Sequence, residues 1–188
     1  MNVFDIIGPI MIGPSSSHTA GAVRLGRVAW KILGEKAVKA KIMLSGSFAE
    51  TYKGHGTDKA IIAGIMGMHS DDERIKNALT LAKESGLEFS FELIQLPDAH
   101  PNTARISLTG ENGAECTVQG CSIGGGNILV TEINGLEVSF TGQYNTLLVL
   151  HHDKAGTIAA VTNFMAYSGL NIGTVSYTHL TLPTILRE

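Results

Sequence analysis

Apolar and polar positions alternate cleanly over residues 38–48, VKAKIMLSGSF. Val38, Ala40, Ile42, Leu44 and Phe48 fall on one side and Lys39 and Lys41 on the other, the period-two pattern of a half-buried strand. Residues 15–33 carry Val23, Leu25, Val28, Trp30, Ile32 and Leu33, broken by small Ala20, Gly21, Ala22 and Gly26, and predict a helix. Its small residues permit close packing and lower its intrinsic stability. Lys53-Gly54-His55-Gly56 reads as a glycine-bounded loop leading into a helix at about 57–68. Ser70-Asp71-Asp72-Glu73 matches a capping box, so a second helix is expected over 71–85, stopping at Gly86. FSFELIQL predicts another strand. Residues 104–140 predict two hairpins, with Asn112-Gly113 and Asn134-Gly135 as turns. Helices and antiparallel strands mix without strict alternation, so the expected class is α+β.

The character changes near Thr141-Gly142. NTLLVLHHDKAGTIAAVTNFMAYSGLNIGTV reads strand, loop, helix, glycine stop, strand. This resembles the opening β-α-β of an ACT domain, a ferredoxin-like amino-acid-sensing module, with HHDKAG as its first turn. A complete module adds a further strand, helix and strand, whereas the sequence continues as SYTHLTLPTILRE, with no helical period and no glycine turn. Half a module would expose a sheet edge and an unpaired helix face. The expected organisation is therefore a mixed α/β domain over 1–140, a partial ACT segment over 145–175 and a non-native tail over 176–188. VSYTHLTLPT can be encoded by a transposon-end adapter used in DNA library preparation.

Composition narrows the classes. Of 188 residues, 44% are apolar and 16% charged, as in a globular protein with a real core. A formal net charge of −3 argues against nucleic-acid binding, which needs a clustered basic face. No apolar run approaches the ~18 residues that span a bilayer. The start, MNVFDIIGPIMIG, lacks a basic n-region and carries Asp5, so no signal peptide is expected and the cytoplasm is the default location. Cys116 and Cys121 are the only cysteines. Two thiols fall short of a zinc or iron–sulfur ligand set and read as packed thiols.

Three stretches carry candidate chemistry. In GPSSSHTAG, Ser15, Ser16 and Ser17 open a helix, so one hydroxyl is an N-cap. The same hydroxyls, with the free N–H groups and positive dipole end, also suit a carboxylate or phosphate. A nucleophile is disfavoured: this is no G-x-S-x-G elbow, and adjacent residues do not face one another. His55 is either a solvated loop residue or a base kept neutral by the following helix N-terminus, with Asp58 orienting it or capping the helix. In His100-Pro101-Asn102-Thr103, Asn102 and Thr103 either bond a ligand or form an Asx-type turn. Gly124-Gly125-Gly126-Asn127 reads as a hairpin turn or close backbone approach, and His151-His152-Asp153 as a solvated turn.

In order, FDIIGPIMIGPSSSHTAG, LSGSF…KGHGTDKA, HPNT, GGGNI and the ACT-like segment closely resemble the β chain of the iron–sulfur-dependent L-serine dehydratases (L-serine ammonia-lyases). The resemblance covers residues 1 to about 175. It implies a domain like the allosteric substrate-binding domain of some phosphoglycerate dehydrogenases, followed by the incomplete ACT segment. It also implies a lyase active only with its α subunit, converting L-serine to pyruvate and ammonia, with a [4Fe–4S] cluster held by that α subunit. By the KGHGTD match His55 is the expected general base. By the GPSSSHT match Ser15, Ser16, Ser17, His18 and Thr19 bind the substrate carboxylate or position the cluster-bearing chain, with Asn102 and Thr103 as further substrate contacts. His18 is expected to orient the loop and is the alternative base. An amino-acid effector is expected at the ACT segment. The competing reading is a non-catalytic amino-acid sensor.

Overall fold

A computed structural model describes residues 10–149, 151–152 and 154–176. Asp5, Asp153 and nearly all of the expected tail, 177–188, lie outside the described residues. The chain divides into two compact units, Met1–Gln143 and Tyr144–Glu188.

The first unit is α+β. A six-stranded mixed sheet runs in the order β2-β1-β3-β4-β5-β6. The strands are β1 (Ala37–Ser45), β2 (Glu88–Leu93), β3 (Thr103–Gly110), β4 (Glu115–Gly124), β5 (Asn127–Ile133) and β6 (Leu136–Phe140). Only β1 and β2 pair in parallel; the other neighbours are antiparallel. Between β1 and β2 the chain makes α2 (Ser47–His55), α3 (Thr57–Ile65), a 3-10 turn (Glu73–Asn77) and α4 (Ala78–Glu84). Helix α1 (Ala22–Leu33) precedes β1 and packs over β3 and β4 and against α3.

The apolar positions of β1 enter the core: Ile42 and Leu44 are fully buried, Ile42 opposite Ile106 on β3. Alternate positions carry Lys39, Lys41 and Arg105, which pair with Glu88, Glu92 and Glu132 at 3.8, 3.0 and 3.5 Å. The two exposed lysine pairs contribute little to stability. At the α1–α3 contact, a Cβ on Gly26 would collide with the Ile61 carbonyl, and one on Gly64 with the Val23 carbonyl. Two glycines therefore let the helix backbones approach directly, and Val23, Leu25, Ile61, Ile62 and Ile65 close the core around them.

Both Asn-Gly hairpins form. Asn134 (φ 51°) and Gly135 (φ 81°) take the paired positive φ of a type I′ turn. Gly124–Gly126 is a third hairpin turn, between β4 and β5.

Four local expectations change. The helix read over 15–33 splits into a π-helical turn, Ser16–Gly21, running into α1. The alternation that ran to Phe48 stops at Ser45. Gly46 (φ 58°, ψ −133°) turns the chain, and Phe48 enters the core from helix α2. Lys53–His55 is accordingly the last turn of α2 rather than a loop. Asp72, not Ser70, caps the following turn, accepting the Arg74 N–H at 2.9 Å, while Ser70 Oγ donates to the Ile10 carbonyl.

In the second unit the described residues form one regular element, α5 (Thr157–Tyr167), begun at Gly156 (φ 88°). The strands expected on either side of it are not formed among the described residues, and α5 buries none of its side chains. A strand needs a paired neighbour to hold its backbone groups. No helix among the described residues is long and apolar enough to cross a membrane.

Candidate active site

Strands β1, β3 and β4 are adjacent, and their antiparallel pairing brings the end of β1, the start of β3 and the end of β4 to one edge. Three connections emerge there: the Gly46 turn into α2, the His100–Asn102 loop and the Gly124–Gly126 turn. The π-turn sits against the same edge, so close that a Cβ on Gly21 would collide with the Ser122 hydroxyl on β4. Single π-turns of this kind recur at functional sites.

Ser15 is the N-cap of the π-turn. Its Oγ accepts the His18 N–H at 3.2 Å, and its carbonyl accepts the Thr19 N–H at 2.8 Å. The turn carries His18 into the interior, 8% exposed. His18 Nδ1 lies 3.3 Å from Ser15 Oγ, and Nε2 lies 3.3 Å from Ser47 Oγ, the first residue of α2. The ring stands edge-on to Phe48 (centroids 5.2 Å apart, planes at 65°) and to His55 (4.8 Å, 83°). Burial pushes the His18 pKa below its ordinary value, and the neighbouring His55 pushes it the same way. A hydrogen bond at the Ser47 backbone acts in the opposite direction. The net effect favours the neutral imidazole.

His55 is exposed and closes α2, two residues before Thr57 opens α3. It stands between helix ends of opposite polarity, not simply before an N-terminus. Asp58 is buried, and burial raises its carboxyl pKa. It accepts the Lys59 N–H at 2.8 Å and so serves the start of its own helix.

The HPNT loop adjoins this group. Phe48 N–H donates to the Pro101 carbonyl at 3.3 Å. Thr103 Oγ1 donates to the His100 carbonyl at 2.6 Å, which occupies its hydroxyl within the loop. Asn102 Nδ2 donates to the Ser122 carbonyl at 3.4 Å, leaving its buried Oδ1 without a partner. Among the described residues nothing bonds the half-buried Ser16 and Ser17 hydroxyls. The structure thus unites Ser15, His18 and His55, places Asn102 in the adjoining loop and Thr103 at the start of β3, and seats Thr19, 2% exposed, against Gly13. Among the described residues four buried side-chain polar atoms lack partners: Thr19 Oγ1, Thr57 Oγ1, Asn102 Oδ1 and Ser122 Oγ. All four lie on the π-turn, α3, the HPNT loop or β4. Native interiors leave few polar atoms unpaired, so their presence on elements meeting at one edge is informative.

Sequence reading missed Ser47 and Phe48, having assigned both to a strand. The available signal was the glycine before Ser47, at a strand end where a helix begins. Among the described residues no three His, Cys, Asp or Glu side chains are grouped to hold a metal ion. Cys116 and Cys121 are free and buried, and burial raises both thiol pKa values, that of Cys116 to about 11. Cys116 Sγ faces the Ala29 carbonyl at 3.6 Å.

Comparison with known proteins gives a consistent result. A family profile described as "Serine dehydratase beta chain" matches residues 2–133. The chain is 51% identical over 172 residues to a "Probable L-serine dehydratase, beta chain" of Bacillus subtilis (strain 168), covering 92% of this chain and 78% of that protein. It is 44% identical over 172 residues to an "L-serine dehydratase, beta chain" of Peptoniphilus asaccharolyticus, covering 91% and 78%. A shorter match, 37% identical over 79 residues, links it to an "L-serine dehydratase" of Helicobacter pylori (strain ATCC 700392 / 26695), covering 40% of this chain and 17% of that protein.

Proposed function

The chain belongs to the serine dehydratase beta chain family, and from that membership we propose that the edge lined by the π-turn and α2 is its share of an active site completed by an α subunit. The enzyme is a lyase acting on L-serine. One observation carries the assignment of residues: His18 of GPSSSHT and His55 of KGHGTD stand edge to face at 4.8 Å.

The chemistry sets three demands. The Cα proton of serine is weakly acidic, so a neutral base must be held beside it. His55 takes this role, with the buried, neutral His18 behind it. The substrate carboxylate needs fixed donors. Ser16, Ser17 and the first N–H groups of the π-turn supply them, with Ser15 capping the turn and Thr19, Asn102 and Thr103 shaping the wall. His55 takes the Cα proton, and the β-hydroxyl leaves as hydroxide and takes up a proton, so that water is lost overall. The aminoacrylate tautomerises to an imine that water hydrolyses to pyruvate and ammonia.

Hydroxide is a poor leaving group, and a [4Fe–4S] cluster supplies a Lewis acid for it when bound. The described residues of this chain do not fit such a cluster: their two thiols are buried, protonated and backed onto apolar core. We place the cluster on the α subunit. The second unit is proposed as an ACT-like module for an amino-acid effector, and the free thiols suit a reducing, cytoplasmic setting.

The test is a pyruvate assay of α chain alone, β chain alone and the two assembled anaerobically. Turnover is expected only from the pair, and Ser16→Ala with Ser17→Ala raises KM for L-serine. Full turnover by α chain alone, or an unchanged KM in the double variant, would overturn the assignment.

A further inference from the structure

Ser47, within the LSGSF stretch, bears directly on His18. Gly46, at φ 58°, adopts a conformation that side chains resist, and a Cβ there would press on the Pro101 backbone. This turn delivers Ser47 onto the ring of His18. Phe48, fully buried beneath that ring, is tied to the HPNT loop by its N–H. Ser47 is therefore held from both sides.

The neutral ring has one N–H for two serine partners, so one serine accepts from it and the other donates to it. Ser15 Oγ accepts the His18 backbone N–H, which leaves its own hydrogen to donate to Nδ1 at 3.3 Å. A neutral imidazole has one N–H, so the proton then resides on Nε2 and donates to Ser47 Oγ at 3.3 Å.

We propose that Ser47 is a positioning residue of the site: its hydroxyl accepts the Nε2–H of neutral His18 and, with Ser15, locks that ring edge-on to His55. This rests on reading His55 as the base. A His18 ring that swapped tautomer or turned over would change the partner that His55 meets at 4.8 Å, and with it the base's own orientation. Ser47 acts only through His18.

Two readouts test this. Ring 15N shifts of His18 in the full chain should report the Nε2–H tautomer, and Ser47→Ala should abolish that preference. In the assembled α/β enzyme Ser47→Ala should lower kcat by about tenfold or more while KM moves much less, the pattern of lost orientation rather than lost binding. Ser47→Thr, which keeps the hydroxyl, should restore most of kcat. An Nδ1–H tautomer in the wild-type chain, or wild-type kcat in Ser47→Ala, overturns the proposal. Should Ser47→Ala fail to fold, the wild-type ring shifts still decide. If His55→Ala keeps its turnover, the base assignment fails by itself, while the tautomer measurement judges Ser47 separately.

Discussion

Two contacts in the first unit are built on opposite terms. Where α1 crosses α3, glycines stand back to back, and every residue of α3 except Lys59 is buried. Where α2 meets the π-turn, a buried histidine bonds two serines and unpaired polar atoms lie on the surrounding elements. The first contact maximises burial and establishes the fold. The second keeps buried polar groups that a core selected for stability would exclude. The difference separates residues whose loss should unfold the chain from those whose loss should silence it.

Gly64→Val tests the first half of this contrast with the largest expected effect. Its side chain would meet the Val23 carbonyl and force the helices apart, costing about 3 kcal/mol or more. Urea unfolding of the β chain measures this. A change below about 1 kcal/mol would mean that the crossing can relax.

The π-turn should instead show itself through pH. His18 holds a lowered pKa in the folded chain, so below the ordinary 6.5 the unfolded chain binds the proton more readily. Stability at this site is present above pH 6.5 and falls as pH drops toward the folded pKa, by at most about 1.4 kcal/mol per pH unit. Urea midpoints at pH 7 and pH 5 should therefore differ less in His18→Asn than in the wild type. Equal differences would show that His18 is not held neutral by burial.

A smaller effect comes from the unpaired atoms. Thr57→Val removes an orphaned hydroxyl from a fully buried residue and should raise stability by about 1 kcal/mol. A loss of that size in thermal melts would reveal a partner for the hydroxyl.

Much of the scaffold was legible because its signals are local. Period-two alternation marked β1, and Asn134-Gly135 marked a turn that requires two positive φ angles. Helix α2 was not legible. The strand parity continued by coincidence through Phe48, and the two glycines near His55 read as a loop. The π-turn was hidden for another reason: Gly21 and Ser122 set its seat on β4, and they meet only in the folded sheet. His18 and His55 were individually visible as candidates. Their adjacency comes from the Gly46 turn that starts α2, which no residue-by-residue reading supplies.

The central claim is that the polar edge is this chain's catalytic contribution. The most direct measurement is pyruvate formation by the anaerobically assembled α/β enzyme carrying His55→Ala, alongside the urea midpoint of that β chain. His55 is exposed, so the midpoint should hardly move, while kcat should fall by about 10²–10⁴-fold, the usual contribution of a general base. Near-normal turnover with an unchanged midpoint would contradict the account.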